Sequence, residues 1–194
     1  MTFKLILGSQ SPRRVEILNF FSIPFTQVHS NFDEESIPYN GDPVIYAKKL
    51  AEEKAYAIKS DAKTAILTAD TIVEKNGKIY GKPVDLPQAI QFLKELQGTH
   101  HRVITALSLR MGEKIWTDHG ETKVYFHPLE LDRIQSYLDA IEWHDKAGGY
   151  AIQQGGGVIV QKIEGCYYNV MGLPVNALSR LLKELNIDLL KCIK

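Results

Sequence analysis

Hydrophobic and polar positions divide the chain into strand-like and helix-like segments. Short apolar runs bounded by turn residues are typical of buried strands, whereas apolar positions that recur every three or four residues are typical of amphipathic helices. The strands predicted in this way cover residues 3–7, 24–29, 65–69, 72–74, 78–80, 101–111, 114–126 and 158–163. The predicted helices cover residues 12–21, 43–60, 86–96, 130–140 and 174–185. Asn76-Gly77 separates two of the strands, as expected of a β-hairpin turn.

The order of these elements predicts the fold class. The chain opens strand–helix–strand–helix–strand and continues with antiparallel hairpins. This pattern indicates an α/β protein with a mixed, twisted sheet flanked by helices, arranged as two lobes around a cleft. Because the 194 residues contain no internal repeat, low-complexity tract or linker, we expect a single domain over residues 1–194.

Composition and charge exclude several classes of function. Hydrophobic residues make up 44% of the chain and charged residues 24%, as in an ordinary globular protein. The formal net charge is zero, so we expect neither nucleic acid nor an anionic membrane as a partner. Cys166 and Cys192 lack metal-ligand spacing, and the chain shows no signal-peptide layout and no apolar run of membrane-spanning length. These features predict a soluble, cytoplasmic protein with reduced thiols.

Residues 8–14, with the sequence Gly-Ser-Gln-Ser-Pro-Arg-Arg, follow the first predicted strand. Ser11-Pro12 is typical of a helix start, with Ser as the N-cap and Pro in the first turn. Arg13, Arg14 and the hydroxyl of Ser9 would then lie at a helix N-terminus, where free backbone N–H groups favour an anion. Guanidinium groups bind phosphate with a specific geometry. The segment therefore predicts a polyphosphate-binding corner; the alternative is an ordinary capped helix with two solvated arginines.

Two acidic positions are candidates for holding a divalent cation. Asp70 comes where one buried strand ends and another begins, and Glu34 lies in an acidic turn at residues 31–35. A carboxylate at a strand end beside a cleft is well placed to hold a hard cation or to orient a water molecule. If Glu34 faces Asp70, the pair could hold Mg²⁺ while substrate phosphates supply further ligands. The alternative for each residue is a solvated turn position.

Two lysines and a glycine-rich segment are further candidates. Lys82 lies in a stiff Gly-Lys-Pro turn and suits the neutralisation of phosphate charge in a transition state, and Lys54 is a second cation on the helix at 43–60. In the glycine-rich segment, Gln153 offers both a donor and an acceptor to a base edge, and Tyr150 could stack on a ligand or form the wall of a pocket. The alternatives are solvated lysines and a turn-rich loop with a core tyrosine.

Signatures of several other nucleotide-binding and hydrolytic sites are absent. The chain has no GxxxxGK[ST], no GxGxxG and no GxSxG. Its six histidines show no HExxH spacing, so we interpret them as structural.

Taken in order over residues 5–185, these segments resemble the Maf family of nucleoside triphosphate pyrophosphatases, also called septum-formation-inhibitor-like proteins. Each motif is weak by itself, but the ordered set is specific. The matching motifs are Ser9-x-Ser11-Pro12-Arg13-Arg14, Asp33-Glu34, Glu53-Lys54-Ala55, Asp70-Thr71-x-Val73, Gly81-Lys82-Pro83, Gly98-x-x-His101-x-Val103-x-Thr105, Asp145-Lys146-Ala147-Gly148-x-Tyr150-x-Ile152-Gln153 and Asn169-Val170-x-Gly172-Leu173-Pro174.

The resemblance implies a fold of the Maf/ITPase type, an activity and a set of site residues. Members of the family hydrolyse a nucleoside triphosphate to the monophosphate and pyrophosphate with a divalent metal, which would be Mg²⁺, Mn²⁺ or Co²⁺. The catalytic residues implied by the matching positions are Asp70, Glu34 and Lys82, with Asp70 favoured as the base and with Asp70 and Glu34 holding the metal. The implied substrate-binding residues are Ser9, Arg13, Arg14, Lys54 and Gln153, with Gln153 on the base. The resemblance also implies a homodimer.

The segment around Gln153 is similar to the branch of the family that acts on dTTP, UTP and modified pyrimidine nucleotides. The branch that prefers 7-methyl-GTP usually has an acidic residue near this position. The chain departs from the usual pattern at Gly8, where Ala is usual, and at Ala106, where Gly is common. We expect a nucleotide-pool housekeeping enzyme. The alternatives are a 7-methyl-GTP-type pyrophosphatase and a nucleotide-binding regulator of septum formation without turnover.

Overall fold

A seven-stranded mixed sheet organises residues 4–194, the part of the chain that the computed structural model describes. The strands are β1 (Lys4–Gly8), β2 (Phe25–Val28), β3 (Thr64–Lys75), β4 (Lys78–Tyr80), β5 (His100–Met111), β6 (Lys114–Phe126) and β7 (Val160–Glu164). Their order is β2-β1-β3-β5-β6-β7, and β4 pairs with β3 beside this path. β1 runs parallel to β2 and β3, and the other pairs are antiparallel. The predicted mixed α/β class is confirmed.

Helices cover both faces of the sheet. They are α1 (Pro12–Leu18), α2 (Pro43–Ala57), α3 (Leu86–Leu96), α4 (Leu131–Ala140), α5 (Tyr167–Val170) and α6 (Val175–Lys183). Successive side chains of a strand point to opposite faces. In β3, Leu67 therefore packs with residues of α1 and α6, whereas Ile66 and Ile72 pack with residues of α2 on the other face.

Two hydrophobic clusters lie at opposite ends of β3 and β5. The first cluster contains Leu67 and Leu107 and is covered by α1 and α6. The second contains Val73 and Val103 and is covered by α3 and α4. Because both strands run through both clusters, they join two lobes, which agrees with the predicted two-lobed sheet.

One edge of β3 is open between these lobes. β1 pairs with β3 only as far as Gly8, which lies opposite Thr68, and β4 pairs with β3 only from Val73 onward. Within the described residues, the four residues between these pairings have no neighbouring strand on that edge. On the other edge β5 continues without interruption, with Ala106 opposite Asp70. This gap gives a ligand access to the backbone and to both faces of β3.

Most predicted elements are present, and several predicted boundaries are wrong. The predicted start of the first strand, Phe3, lies outside the described residues. The first helix ends at Leu18 rather than at 21, because Phe21 forms a β-bridge with Ile193. The helix predicted over 43–60 ends at Ala57, because the Arg110 guanidinium donates to the carbonyls of Ala55 and Ile58 at 3.0 and 2.6 Å and closes the last turn.

Further differences concern the later part of the chain. The strands predicted at 65–69 and 72–74 form the single strand β3, because β5 pairs along its whole length. The strand predicted from 158 begins at Val160, since residues 154–158 form a 3₁₀ helix. The short helix α5 was not predicted, because four residues are too few to show a helical period. The hairpin turn is confirmed, with positive φ at Asn76 (53°) and Gly77 (81°).

The unusual Gly8 has a packing explanation. A Cβ atom at this position would lie 2.5 Å from Ile58 Cδ1 and 2.7 Å from Thr68 Cγ2, which is closer than such atoms approach. The side chains of Ile58 and Thr68 therefore occupy the space that an alanine methyl would need. Ala106, the other departure, is fully buried among residues that face α2.

Candidate functional site

The open edge of β3 forms the floor of a cleft of about 880 Å³. The segment after β1 borders one side of the gap, and the Gly81-Lys82 turn after β4 borders the other. All eight site residues predicted from the sequence line this cleft: Ser9, Arg13, Arg14, Glu34, Lys54, Asp70, Lys82 and Gln153. The structure therefore brings the predicted set together, although their individual roles stay predictions.

Asp70 lies in the gap, on the face of β3 that looks toward α2. The expectation that it marks the end of a strand is wrong for β3, which continues to Lys75; the strand that ends here is the neighbouring β1. Lys54 projects from α2, and its buried ammonium contacts Asp70 Oδ1 at 2.5 Å and Glu34 Oε1 at 2.7 Å. Two carboxylates thus share one cation in the cleft.

Glu34 belongs to a short 3₁₀ helix, Glu34–Ser36, whose N-cap Asp33 accepts a hydrogen bond from the backbone of Glu35. Burial by itself would raise the pKa of Glu34. The charge and hydrogen bond of Lys54, together with the charge of Lys82, outweigh burial and hold the pKa below its usual value. Glu34 is therefore a carboxylate at neutral pH. The ammonium of Lys82, although exposed, is close enough to stabilise this charge.

Arg14 reaches the cleft from α1 on the opposite face of β3. Its Nε donates to Gly172 O at 2.8 Å, Nη1 donates to Ser9 Oγ at 3.0 Å, and Nη2 donates to Thr71 Oγ1 at 3.1 Å. Burial lowers the pKa of Arg14, partly offset by the charge of Asp70. A guanidinium has five N–H donors, so two remain for a ligand.

The start of α1 differs in one respect from the prediction. Ser11 occupies the N-cap position with extended backbone, but its hydroxyl makes no capping bond and has no partner among the described residues. Ser9 Oγ instead accepts the backbone N–H of Ser11 at 3.2 Å. Since Ser9 Oγ accepts twice, its own proton is free to be donated into the cleft. Arg13 is paired with Asp145 at 3.1 Å.

The far end of the cleft carries Gln153. Its Nε2 donates to Glu16 Oε2 at 3.3 Å, and because a carboxylate only accepts, the amide nitrogen must face Glu16. The amide oxygen of Gln153 is then available as an acceptor. Tyr150 lines the cleft, but its buried ring packs edge-on against Phe126 and His101. It forms a wall of the cleft rather than an exposed stacking surface.

Several residues in contact with the predicted set were not assigned a role from the sequence. Thr71 binds Arg14, Thr105 binds Thr71, and Asn169 binds Thr105. All three belong to the matching motifs, which was the available signal. Their contacts depend on strand register and on residues 34 to 64 positions apart, which spacing along the sequence does not reveal. Glu16 lies two residues beyond Arg14 in α1, and nothing in its sequence context indicated a contact with Gln153.

The donor set fits a hard divalent cation. An ammonium stands between Glu34 and Asp70, so the position already suits a positive charge shared by two carboxylates. Within residues 4–194, no group of three or more His, Cys, Asp and Glu side chains is placed to hold a metal ion. Mg²⁺ commonly takes one or two protein carboxylates and completes its shell with water and substrate phosphates. A pair of carboxylates is therefore sufficient for a cation that enters with a polyphosphate.

A membrane-spanning helix is not found in the described part of the chain.

Comparisons with known proteins identify relatives that span nearly the whole chain. The family model described as "Maf-like protein" matches residues 4–185. A dTTP/UTP pyrophosphatase of Chlamydia felis is 45% identical over 188 residues, which cover 96% of each chain. A nucleoside triphosphate pyrophosphatase of Chlamydia pneumoniae is 43% identical over 192 residues, which cover 97% of each chain. A solved structure, the Ham1 protein of Staphylococcus aureus, aligns over 94% of this chain and 98% of its own length, with 11% sequence identity and a TM-score of 0.45. Because the family model and the two Chlamydia relatives span nearly the whole chain, this chain belongs to the family of Maf-like proteins.

Proposed function

We propose that this chain is a nucleoside triphosphate pyrophosphatase that hydrolyses dTTP and UTP to the monophosphate and pyrophosphate, with a housekeeping role in the nucleotide pool. The relatives named for this activity support it over nearly the full length of the chain. The observation that carries the proposal is the position of Asp70. One of its carboxylate oxygens is held by Lys54, and the other has no protein partner among residues 4–194. Asp70 itself lines the cleft at the gap in the edge of β3.

The arrangement suits hydrolysis within a polyphosphate. Phosphoryl chemistry depends mainly on positioning and on neutralising charge, and this cleft supplies guanidinium groups from one side and Lys82 from the other. Arg14 has two N–H donors left, and Ser9 has a free hydroxyl proton. These donors would hold the phosphate oxygens while the free oxygen of Asp70 accepts the proton of an attacking water molecule.

A divalent cation, Mg²⁺, Mn²⁺ or Co²⁺, is part of the proposal. Glu34 and Asp70 would hold it, and when bound it supplies Lewis-acid neutralisation of phosphate oxygens. Lys54 would then give up part of its contact with these carboxylates and turn toward the phosphates, which is how a residue predicted to bind substrate comes to be paired with acids in the free protein.

The preference for thymine and uracil is supported by Gln153. One N–H of its amide donates to Glu16, which fixes the orientation of the amide and leaves its oxygen available as an acceptor. The N3–H groups of thymine and uracil are donors, so they match this oxygen, whereas N3 of cytosine is an acceptor and does not.

The proposal further includes a cytoplasmic homodimer that binds no nucleic acid. Light scattering would test the dimer, and binding assays at several salt concentrations would test the absence of nucleic-acid binding.

Product analysis tests the proposed reaction. The purified chain is incubated with Mg²⁺ or Mn²⁺ and dTTP, UTP, CTP, GTP or 7-methyl-GTP. We expect monophosphate and pyrophosphate, with dTTP and UTP as the best substrates. Asp70→Asn is expected to reduce kcat by about 10³-fold, in the range of lost general acid–base catalysis. Asp139→Asn, on the exposed face of α4, is the matched control and should retain wild-type rates.

Four results would contradict the proposal or a part of it. Formation of nucleoside diphosphate and orthophosphate would show that cleavage occurs between the β- and γ-phosphates. Near-wild-type turnover of Asp70→Asn would remove the assigned base. Tight nucleotide binding without any product would favour a nucleotide-binding regulator, and faster turnover of 7-methyl-GTP would overturn the base preference.

A further inference from the structure

A chain of hydrogen bonds runs from Arg14 into the interior of the sheet. Arg14 Nη2 donates to Thr71 Oγ1 at 3.1 Å, and Thr71 Oγ1 lies 3.0 Å from Thr105 Oγ1 on the adjacent strand β5. Thr105 Oγ1 donates in turn to the main-chain oxygen of Asn169 at 2.8 Å. Thr105 and Asn169 are fully buried, so water does not compete for these bonds. Thr105 and Asn169, the last two residues of this hydrogen-bonded series, do not line the cleft.

The donor and acceptor of every bond in this hydrogen-bonded series are fixed by the groups at its two ends. A guanidinium only donates, and a carbonyl only accepts. The hydroxyl proton of Thr105 therefore goes to Asn169, so Thr105 can only accept from Thr71. The hydroxyl proton of Thr71 is then committed to Thr105, which leaves a lone pair of Thr71 facing Arg14. Removing the hydroxyl of Thr105 would free the Thr71 hydroxyl to rotate and to point its proton at the guanidinium.

Asn169 is itself held on all sides. Its Nδ2 donates to Val103 O and to Thr122 Oγ1, both at 2.9 Å, and its Oδ1 accepts the backbone N–H of Thr105 at 3.2 Å. Gly120 approaches so closely that a Cβ atom there would lie 2.7 Å from Asn169 Oδ1. Asn169, at the interior end of the hydrogen-bonded series, is therefore held in place.

We propose that Thr105 is a positioning residue that, through Thr71, holds the Arg14 guanidinium so that its two remaining N–H donors face the polyphosphate. Gly172 O and Ser9 Oγ hold the same guanidinium at Nε and Nη1, so Thr71 is the third point that fixes its plane. The inference rests on the proposed function in one respect, namely that Arg14 meets a polyphosphate. Thr105 acts on that ligand only through Arg14.

Thr105→Val tests the inference, because it removes the hydroxyl and keeps the shape. Thr68→Val is the matched control: Thr68 is also a fully buried strand threonine, and its hydroxyl also donates to a main-chain oxygen, Ala51 O, but it has no link to Arg14. We expect Thr105→Val to raise KM for dTTP and the dissociation constant of pyrophosphate about tenfold, the order of effect for one hydrogen bond to a charged group. Thr105→Ser should restore both values, and Thr68→Val should change neither.

Epistasis separates positioning from a general loss of stability. In an Arg14→Ala background, Thr105→Val should change KM no further, because the group that it positions is gone. If Thr105→Val still raises KM in that background, or if Thr68→Val raises KM as much as Thr105→Val does, the inference is overturned.

A measurement without ligand or turnover keeps this inference distinct from the proposed function. The ¹⁵N–¹H resonance of Arg14 Nε reports whether the guanidinium is held. We expect it to shift and to exchange faster with solvent in Thr105→Val and to stay unchanged in Thr68→Val. If the wild type hydrolyses no triphosphate but this pattern is seen and pyrophosphate binding follows it, the proposed reaction fails and the inference stands. An unchanged resonance in Thr105→Val overturns the inference even in an active enzyme.

Discussion

At the scale of single residues, Lys54 is the cation on which both acidic groups of the cleft depend. Its buried ammonium lies within 2.5 Å of Asp70 Oδ1 and 2.7 Å of Glu34 Oε1. Without it, two carboxylates would face each other in a partly buried cleft, where like charges repel and counter-charges are missing. A triphosphate brought into such a cleft would also meet uncompensated negative charge.

Lys54→Met keeps the aliphatic length of the side chain and removes its charge. We expect kcat/KM for dTTP to fall about 100-fold, as when one electrostatic contact to a transition state is lost. Lys49→Met is the control on the same helix, since Lys49 pairs with Glu53 on the surface, and it should stay close to the wild type. Steady-state kinetics with both variants checks this, and a Lys54→Met enzyme within threefold of the control would contradict the role of the ammonium.

At the scale of elements, the hairpin β3–β4 is attached to α3 through Glu95. This carboxylate accepts from Lys78 Nζ and Tyr80 Oη, both at 2.7 Å, and from Gln91 Nε2 at 2.9 Å. Hydrogen bonds from Lys78, Gln91 and Tyr80 lower the pKa of Glu95 to about 2. The Gly81-Lys82 turn begins where β4 ends, so the same contacts fix the base of the turn that carries Lys82.

Glu95→Gln weakens this attachment without changing the volume of the side chain. We expect a loss of about 1 kcal/mol in the free energy of unfolding, since hydrogen bonds to a charged acceptor become neutral ones. We also expect a higher KM for dTTP, because Lys82 is held less firmly. Glu113→Gln, in the turn of the β5–β6 hairpin, is the control. Urea unfolding and steady-state kinetics would contradict the argument if both variants behaved alike.

The elements also show which features of the fold the sequence predicts and which it does not. The β3–β4 turn was predictable, because Asn76-Gly77 is suited to two successive residues with positive φ. The gap in the edge of β3 was not, because it follows from where β1 stops pairing, at Gly8, and where β4 starts, at Val73. The end of α2 was missed for a similar reason: Arg110, which closes it, is more than 50 residues away along the chain.

The site divides in the same way. The location of Arg14, Asp70 and Lys82 in the cleft was predictable, because each is a charged residue in or beside a segment that the sequence marks as a turn, a helix start or a strand. Thr71, Thr105 and Asn169 carry no charge, and the contacts that link them to Arg14 depend on the register of β3 against β5 and on how α5 packs on the sheet. A hydroxyl on a buried strand gives no signal of this kind until its neighbour is known.

At the scale of the whole molecule, His101 links the buried cluster of one lobe to the wall of the cleft. It is 1% exposed, packs edge-on against Phe126 and Tyr150, and its Nε2 lies 2.7 Å from the Tyr150 hydroxyl. Its Nδ1 has no partner among the described residues. Burial, together with the charges of Lys75 and His100, lowers the pKa of His101 to about 3. The folded protein therefore keeps this imidazole neutral.

The stability of the whole chain should consequently fall as the pH is lowered below the ordinary pKa of histidine. Above pH 6.5 the imidazole is neutral in both states and its titration contributes nothing. Below that value the unfolded state binds a proton that the folded state does not, so unfolding becomes easier by about 1.4 kcal/mol per pH unit. By pH 5 this amounts to about 2 kcal/mol from His101 alone.

His101→Gln removes the titration and keeps a hydrogen-bonding group near Tyr150, and the exposed neighbour His100→Gln is the control. His101→Gln itself is expected to be less stable at pH 7, because glutamine fills the space of the buried imidazole less well. The informative quantity is the difference in unfolding free energy between pH 7 and pH 5, measured by urea denaturation. This difference should shrink by about 2 kcal/mol in His101→Gln and stay at the wild-type value in His100→Gln. An equal pH dependence in all three proteins would mean that His101 takes up its proton without unfolding, so the lobe that forms the wall of the cleft would not require a neutral imidazole.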